Sequence, residues 1–339
     1  MQKKMLLLTF SICLLTLACK KNNDTPVNPA NPGGKDTTKV ATNTALITLP
    51  TGWSYSAALS SGMPLQTAGV FEYNLGATKA FAFVYDLNDT TIELTTALNT
   101  GRKTPAEWHL NESGTKLAVV NGGYFDLSNG ASYSAVISNG VQLSPNVRAL
   151  TRLLNGANTT YYPTRAAFGL LNRVPSVNWI YNTTGTTNYS YSAPSPNALN
   201  TAPQVVPSAT FPSNGALWQV NQGIGGSPML IKNNNILISD AEELIVVDNT
   251  LGRSRTAIGY TAQKRVILLV IEKSSARGTD GASLAQEAQL LKDMGCTDAI
   301  NLDGGGSTCL LVGNNGQTTN LPEGGAQRAV SSVIFIKKK

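Results

Sequence analysis

The chain has 339 residues, 42% of them apolar and 14% charged, with a formal net charge of +6 and one histidine, His109. That composition carries a full hydrophobic core and excludes wholesale disorder, collagen-like repeats and coiled coils. It also excludes zinc sites built on two or three histidines, and any Ser-His-Asp triad would have to use His109 itself.

At the N-terminus, Lys3 and Lys4 precede an apolar run from Met5 to Ala18, which ends before Cys19. The run is too short to span a bilayer comfortably, and a basic start with a small residue before cysteine predicts a secretory signal over 1–18. It resembles a bacterial lipoprotein signal, with Thr16-Leu17-Ala18-Cys19 as the processing box and Cys19 as the lipidated residue. Thr16 departs from the aliphatic residue usual at that position. Residues 19–42, rich in Asn, Pro, Gly, Thr and Lys, read as a disordered tether below a domain at 43–339. The expected location is therefore the bacterial cell envelope, exported and lipid-anchored, at the outer membrane. Removing the signal lowers the charge to +4; residues 20–39 hold +2 and Lys337 to Lys339 +3, so the body carries −1. A lysine excess confined to tether and tail is no basic face, and nucleic acid is excluded as a partner.

From residue 43 onward the pattern is β. Strands are predicted at Ala80–Leu87, Lys116–Val120, Ala135–Leu143, Trp218–Val220, Met229–Ile238, Ser254–Tyr260, Val266–Glu272, Ala299–Leu302, Thr308–Val312 and Val330–Ile336. Ser138-Asn139-Gly140 and Lys232-Asn233-Asn234-Asn235 supply the turn residues that antiparallel hairpins need. A short helix is predicted near Thr104–Glu112. A clearer one starts at Ser283, which can cap it with Gln286 three residues on, and stops at Gly295. Residues 175–215 are long and polar and read as an insertion, an excursion over a site or a loop. The predicted fold class is α+β, a β-rich single domain of mixed or antiparallel strands and hairpins with a few helices. Cys296 and Cys309 read as two small buried residues, with a disulfide as the alternative. His109, in a polar segment, reads as a surface residue.

Three glycine-marked motifs stand at strand ends: Asn121-Gly122-Gly123-Tyr124-Phe125-Asp126, Gly223-Ile224-Gly225-Gly226-Ser227-Pro228, and Asn301-Leu302-Asp303-Gly304-Gly305-Gly306-Ser307-Thr308. Such clusters admit a ligand close to the backbone, and successive N–H groups can form an anion nest, although a tight turn explains any one of them alone. The third leaves Asp303 with no neighbouring side chain to shield it. It is not a P-loop, because no Gly-Lys-Ser/Thr follows.

Together NGGYFD, GGSPML, Arg253-Ser254-Arg255-Thr256-Ala257-Ile258-Gly259-Tyr260, the helix GASLAQEAQLLKDMGC and NLDGGGST resemble the phosphodiester glycosidase family, in the same order over roughly 70–337. Residues 144–217 carry no resemblance. The resemblance implies hydrolysis of the sugar C1–phosphate bond in a GlcNAc-1-phosphodiester-like unit of a cell-surface glycan, releasing sugar and a phosphomonoester. A phosphomonoester is a weakly basic leaving group whose charge must be held, and arginine forks with backbone N–H groups can hold it. Arg255 is the expected phosphate clamp and Arg328 the second. Asp303 is the expected nucleophile or general base, with capping of its loop or binding of a cation as alternatives. Glu272 is the expected second carboxylate, with a solvated strand end as its alternative. Asn121 and Asp126 would position sugar hydroxyls or hold their loop, and Tyr124 would stack on a sugar or fill the core. Gly122, Gly123, Gly225, Gly226, Ser227, Arg253, Thr256, Asn301, Gly304, Gly305, Gly306, Ser307 and Thr308 complete the expected substrate-binding set. No cofactor is required, and the carboxylates leave a divalent cation open. Two other readings use the same residues: a noncatalytic surface lipoprotein that binds phosphorylated glycans, and a transferase passing the sugar to another acceptor.

Overall fold

The computed structural model describes residues 46–212 and 215–339. The chain divides into Met1–Val40 and Ala41–Lys339; the expected signal, tether and Cys19 lie outside the described residues. What is described is β-rich, with two α-helices, and fits the predicted class. Its strand pairs are antiparallel.

Three sheets enclose the main core. A nine-stranded sheet has Thr78–Asp86, Arg265–Ser274, Arg255–Thr261, Cys296–Asn301 and Met229–Lys232 as successive neighbours. A seven-stranded sheet centres on Val174–Thr184, Arg165–Leu171 and Gln222–Gly225, and a five-stranded sheet on Lys116–Asn121 and Val330–Lys338. Thr78–Asp86 shows how sequence sets the layers. Phe81, Phe83 and Tyr85 enter the core shared by the three sheets, while Ala80, Ala82 and Val84 face the opposite side. Alternation at period two thus buries both faces, which is why the strand reads as one apolar run. Burial of each large side chain stabilises the fold by about 1.5–3 kcal/mol.

Both helices cover outer sheet faces. Helix α1 (Pro105–Asn111) carries a capping box of Thr104 and Glu107 and packs Trp108 beside Val119 and Phe335 of the five-stranded sheet. Helix α2 (Leu284–Asp293) has the expected box of Ser283 and Gln286, and Leu284, Ala288 and Leu291 press on the nine-stranded sheet. Gly295 follows with φ +88°, the left-handed geometry that ends a helix.

Several expectations are corrected. Trp218–Val220 is not a strand: it lies between Ala216–Leu217 and Gln222–Gly225, and its apolar residues fill a small cluster with Ile137 and Ala167. The polar stretch 175–215 is no excursion over its first half. Val174–Thr184 and Thr187–Tyr191 are paired strands; Asn182 and Asn188 are buried, Asn182 bonding within the hairpin and Asn188 donating to Gln142 outside it. His109 is buried, because α1 sets its ring against the turn at 313–316, where Nε2 lies 3.1 Å from the Gly313 carbonyl. Burial holds its pKa below the usual imidazole value. Cys296 and Cys309 are free thiols, both buried.

Candidate active site

The glycine motifs meet where strand ends from all three sheets converge. Asn121 closes Lys116–Asn121, Asn301 closes Cys296–Asn301, and Gly225 closes Gln222–Gly225, while Arg255 opens its strand beside them. Buried polar bonds lock these ends together. Asn121 Nδ2 donates to the Asp303 carbonyl at 2.7 Å, and Asn121 Oδ1 accepts from Thr256 Oγ1 at 2.9 Å and from the Cys309 N–H at 3.1 Å. Thr256 Oγ1 also meets Thr308 Oγ1 at 3.2 Å. Asn301 Nδ2 donates to Tyr124 Oη at 2.5 Å and to the Ser227 carbonyl at 2.7 Å, and Tyr124 Oη donates to that same carbonyl at 2.6 Å. Asn301 Oδ1 alone of these amide oxygens has no partner, and in a low-dielectric interior the bonds that are made favour a single arrangement.

Above this floor lies a pocket of about 390 Å³, lined by Tyr124, Arg253, Arg255, Asn301, Asp303, Gly304, Gly305, Gly306, Glu323 and Arg328, among others. Enclosure of the Asp303 carboxyl pushes it up to about 6, against the pull of the Ser307 hydroxyl, the Arg328 guanidinium and the Gly304 N–H. Arg328 lies over Gly306, where a Cβ would run into its guanidinium, and its Nη1 reaches Ser307 Oγ at 3.4 Å. The exposed guanidinium forms no ion pair among the described residues. The other two carboxylates at the pocket, Asp248 and Glu323, both pair with Arg253. A lone carboxylate beside an uncommitted guanidinium and a glycine loop can hold an anion and work on the atom attached to it.

The structure redistributes the remaining expected roles. Arg255 is not free to clamp phosphate: its Nε donates to the Ala282 carbonyl at 2.9 Å, Nη1 to Val247 at 2.8 Å, and Nη2 to Asp248 at 2.7 Å and Leu251 at 3.2 Å. Three of its five N–H groups hold the 247–251 loop that forms one wall, and a fourth holds the Ala282 carbonyl. Glu272 is neither a solvated strand end nor a pocket residue. It is fully buried, accepting from Arg277 at 2.8 Å and from the Leu321 N–H at 2.6 Å. Asp126 holds its own turn, accepting from Ser128 N–H at 2.7 Å and Tyr133 Oη at 2.9 Å, and does not line the pocket. Asn121, Thr256 and Thr308 position backbone from beneath the floor. Gly122 and Gly123 pack without room for a Cβ against Ser332 and Ser134, Gly225 against Asn146, and Gly226 against the Asn301 carbonyl. Ser227 is buried, its hydroxyl on the Glu243 carboxylate.

Glu287 escaped sequence reasoning. It lies on the buried face of α2, both carboxyl oxygens lack a partner, and burial pushes it up to about 8 against the attraction of Arg255. The signal was present: Leu284, Glu287, Ala288 and Leu291 share one helical stripe, with a single charged residue in it. Arg165 and Glu243, both buried, were also missed. Among the described residues no group of three or more His, Cys, Asp and Glu side chains is placed to hold a metal ion.

A family model described as phosphodiester glycosidase matches residues 114–337. Among solved structures, the chain is similar to the zebrafish N-acetylglucosamine-1-phosphodiester alpha-N-acetylglucosaminidase catalytic domain, auto-inhibited by pro-peptide. The TM-score is 0.54 at 19% identity, covering 85% of this chain and 89% of that one. A hypothetical protein from Synechocystis is also similar, with TM-score 0.54 at 16% identity, covering 86% of this chain and 69% of that one. At such identities the likeness is one of fold. Among curated proteins, none matches.

Proposed function

The chain belongs to the phosphodiester glycosidase family, and from that premise we propose that it hydrolyses the bond between a sugar's anomeric carbon and phosphate in a GlcNAc-1-phosphodiester-like unit of a cell-surface glycan. The observation that carries this reading is Asp303, the pocket carboxylate left without an ion pair, set beside Arg328 and the Gly304–Gly306 loop. In the proposed reaction the C1–O bond breaks and the bonding pair leaves with the phosphomonoester. Its charge is received by Arg328 and loop N–H groups, so it departs without first taking a proton. Asp303, ionised above its raised pKa, attacks C1 or takes the proton of the attacking water. Water supplies the hydroxyl that appears on the free sugar. The signal-like residues 1–18 and Cys19 support an exported, lipid-anchored protein, a place where such glycans occur.

The test is incubation of the protein with an isotopically labelled GlcNAc-1-phosphodiester, followed by NMR. Free sugar and phosphomonoester are expected, with Asp303→Asn and Arg328→Ala each lowering kcat/KM by about 100-fold or more. No sugar release across a panel of sugar-1-phosphodiesters would defeat the reaction, and saturable binding of intact diester would then assign a binding protein. Product formation that requires an added alcohol would assign a transferase. Loss of membrane association in Cys19→Ala is the expected sign of the anchor.

A further inference from the structure

Tyr124 and Val247 line a second chamber as well as the first pocket, so the two cavities share a wall. The second holds about 530 Å³ and has apolar sides, with Val147, Leu150, Leu244 and Ile245 among its lining. Two guanidiniums enter it, Arg152 and Arg165. Arg165 is 7% exposed and its Nε has no partner. Its Nη2 leans on the Leu244 carbonyl at 3.4 Å, the same oxygen that Arg152 Nη2 reaches at 3.3 Å. Neither arginine forms an ion pair among the described residues.

One carboxylate, Glu243, attracts Arg165. It is already committed to the N–H groups of Ala166 and Met229, the Trp179 indole, and the hydroxyls of Ser227 and Ser239. Two converging guanidiniums against one fully engaged carboxylate leave the chamber net positive, and a guanidinium taken out of water with an unmatched N–H is costly unless an anion completes it. Planar forks suit phosphate and carboxylate. A neutral sugar would leave that charge unmatched.

We propose that this chamber receives a second anionic group of the substrate, a phosphate or carboxylate carried on the aglycone beyond the bond that is cleaved. The proposal rests on reading the first pocket as the cleavage site. The aglycone then runs past Tyr124, whose hydroxyl is fixed by Ser227 and Asn301. Both arginines of the wall come from 147–165, a stretch in which the sequence offers no glycine-marked motif.

Sugar-1-phosphodiesters with neutral, phosphate-bearing and carboxylate-bearing aglycones test it. Arg152, half-buried, is the residue to replace, since loss of the buried Arg165 endangers the fold. In Arg152→Ala the ratio of kcat/KM for an anionic over the neutral diester is expected to fall at least tenfold, whereas Arg328→Ala lowers all three together. The arm that loses most identifies phosphate or carboxylate. An unchanged ratio overturns the proposal. Calorimetric titration with inorganic phosphate gives a readout independent of turnover: one site is expected to weaken at least tenfold in Arg152→Ala. If no diester is cleaved, the reading of the first pocket fails; the chamber is then judged on phosphate alone. An Arg152-dependent site upholds it as an anion site, and the lack of one overturns it.

Discussion

Replacing Glu287 by glutamine keeps the shape of the side chain and removes its titration. The carboxyl has no partner for either oxygen, and burial raises it from an ordinary 4.5 to about 8. Between those values the folded chain holds a proton that the unfolded chain has released. Stability from this group is therefore fully present below the unfolded value and is lost as pH rises towards the folded one. With one pKa unit equal to about 1.4 kcal/mol, the loss is about 1 kcal/mol at pH 5 and about 3 kcal/mol at pH 7. The glutamine amide is also unmatched, at a cost of about 1–3 kcal/mol that does not vary with pH. The difference between wild type and Glu287→Gln is therefore a sloping line that favours the variant as pH rises. Urea unfolding followed by the fluorescence of the buried Trp53, Trp108, Trp179 and Trp218 is the assay. The relative midpoint should move by on the order of 1 M between pH 5 and pH 7. Titration of Asp303 and His109 cancels in the comparison, since both chains carry them. A difference that stays constant across this range would refute the reasoning and place an ionised, compensated Glu287 in the folded protein.

Three further outcomes are expected. With Asp303 raised to about 6, kcat/KM should fall about tenfold per pH unit below that value and level off above it, and Asp303→Asn should abolish this acid limb in a pH–rate profile. Arg255→Met should lower stability by about 3 kcal/mol or more in urea melts, because the 247–251 carbonyls lose a charged donor; unchanged stability would contradict the loop-holding role. Gly306→Ala should displace Arg328 and lower diester turnover while the melting curve stays near wild type; a crystal structure of the variant with Arg328 unmoved would contradict that account.

Legibility followed the locality of the signal. Asp303 stood out because three glycines follow it, and Arg328 because its residue type suits phosphate; only the fold lays Arg328 over Gly306. The cap of α2 was readable because it closes within four residues. Arg255 and Glu272 were not, since their partners are carbonyls and N–H groups whose direction depends on loops at 247–251 and 321. An unpaired arginine and an arginine bound to four carbonyls are the same letter in a sequence. Ile92–Lys103 escaped for another reason. Glu93 and Thr95 alternate with buried Ile92, Leu94 and Thr96, and polar Asn99 and Thr100 follow, so a half-buried strand resembles a polar loop. Arg165 and Glu243 lie 78 positions apart, and only the fold brings their fields together.

The polar joint beneath the pocket has a consequence in time. Asn121 waits for a carbonyl 182 positions later and an N–H 188 positions later, and Tyr124 for an amide 177 positions away. Contacts of such separation form late and slowly. Asp303 itself is carried on that joint, and Val330–Lys338 must still be laid between Lys116–Asn121 and Ile92–Lys103. Competence of the pocket therefore arrives only when Val330–Lys338, the last strand of the described residues, is in place.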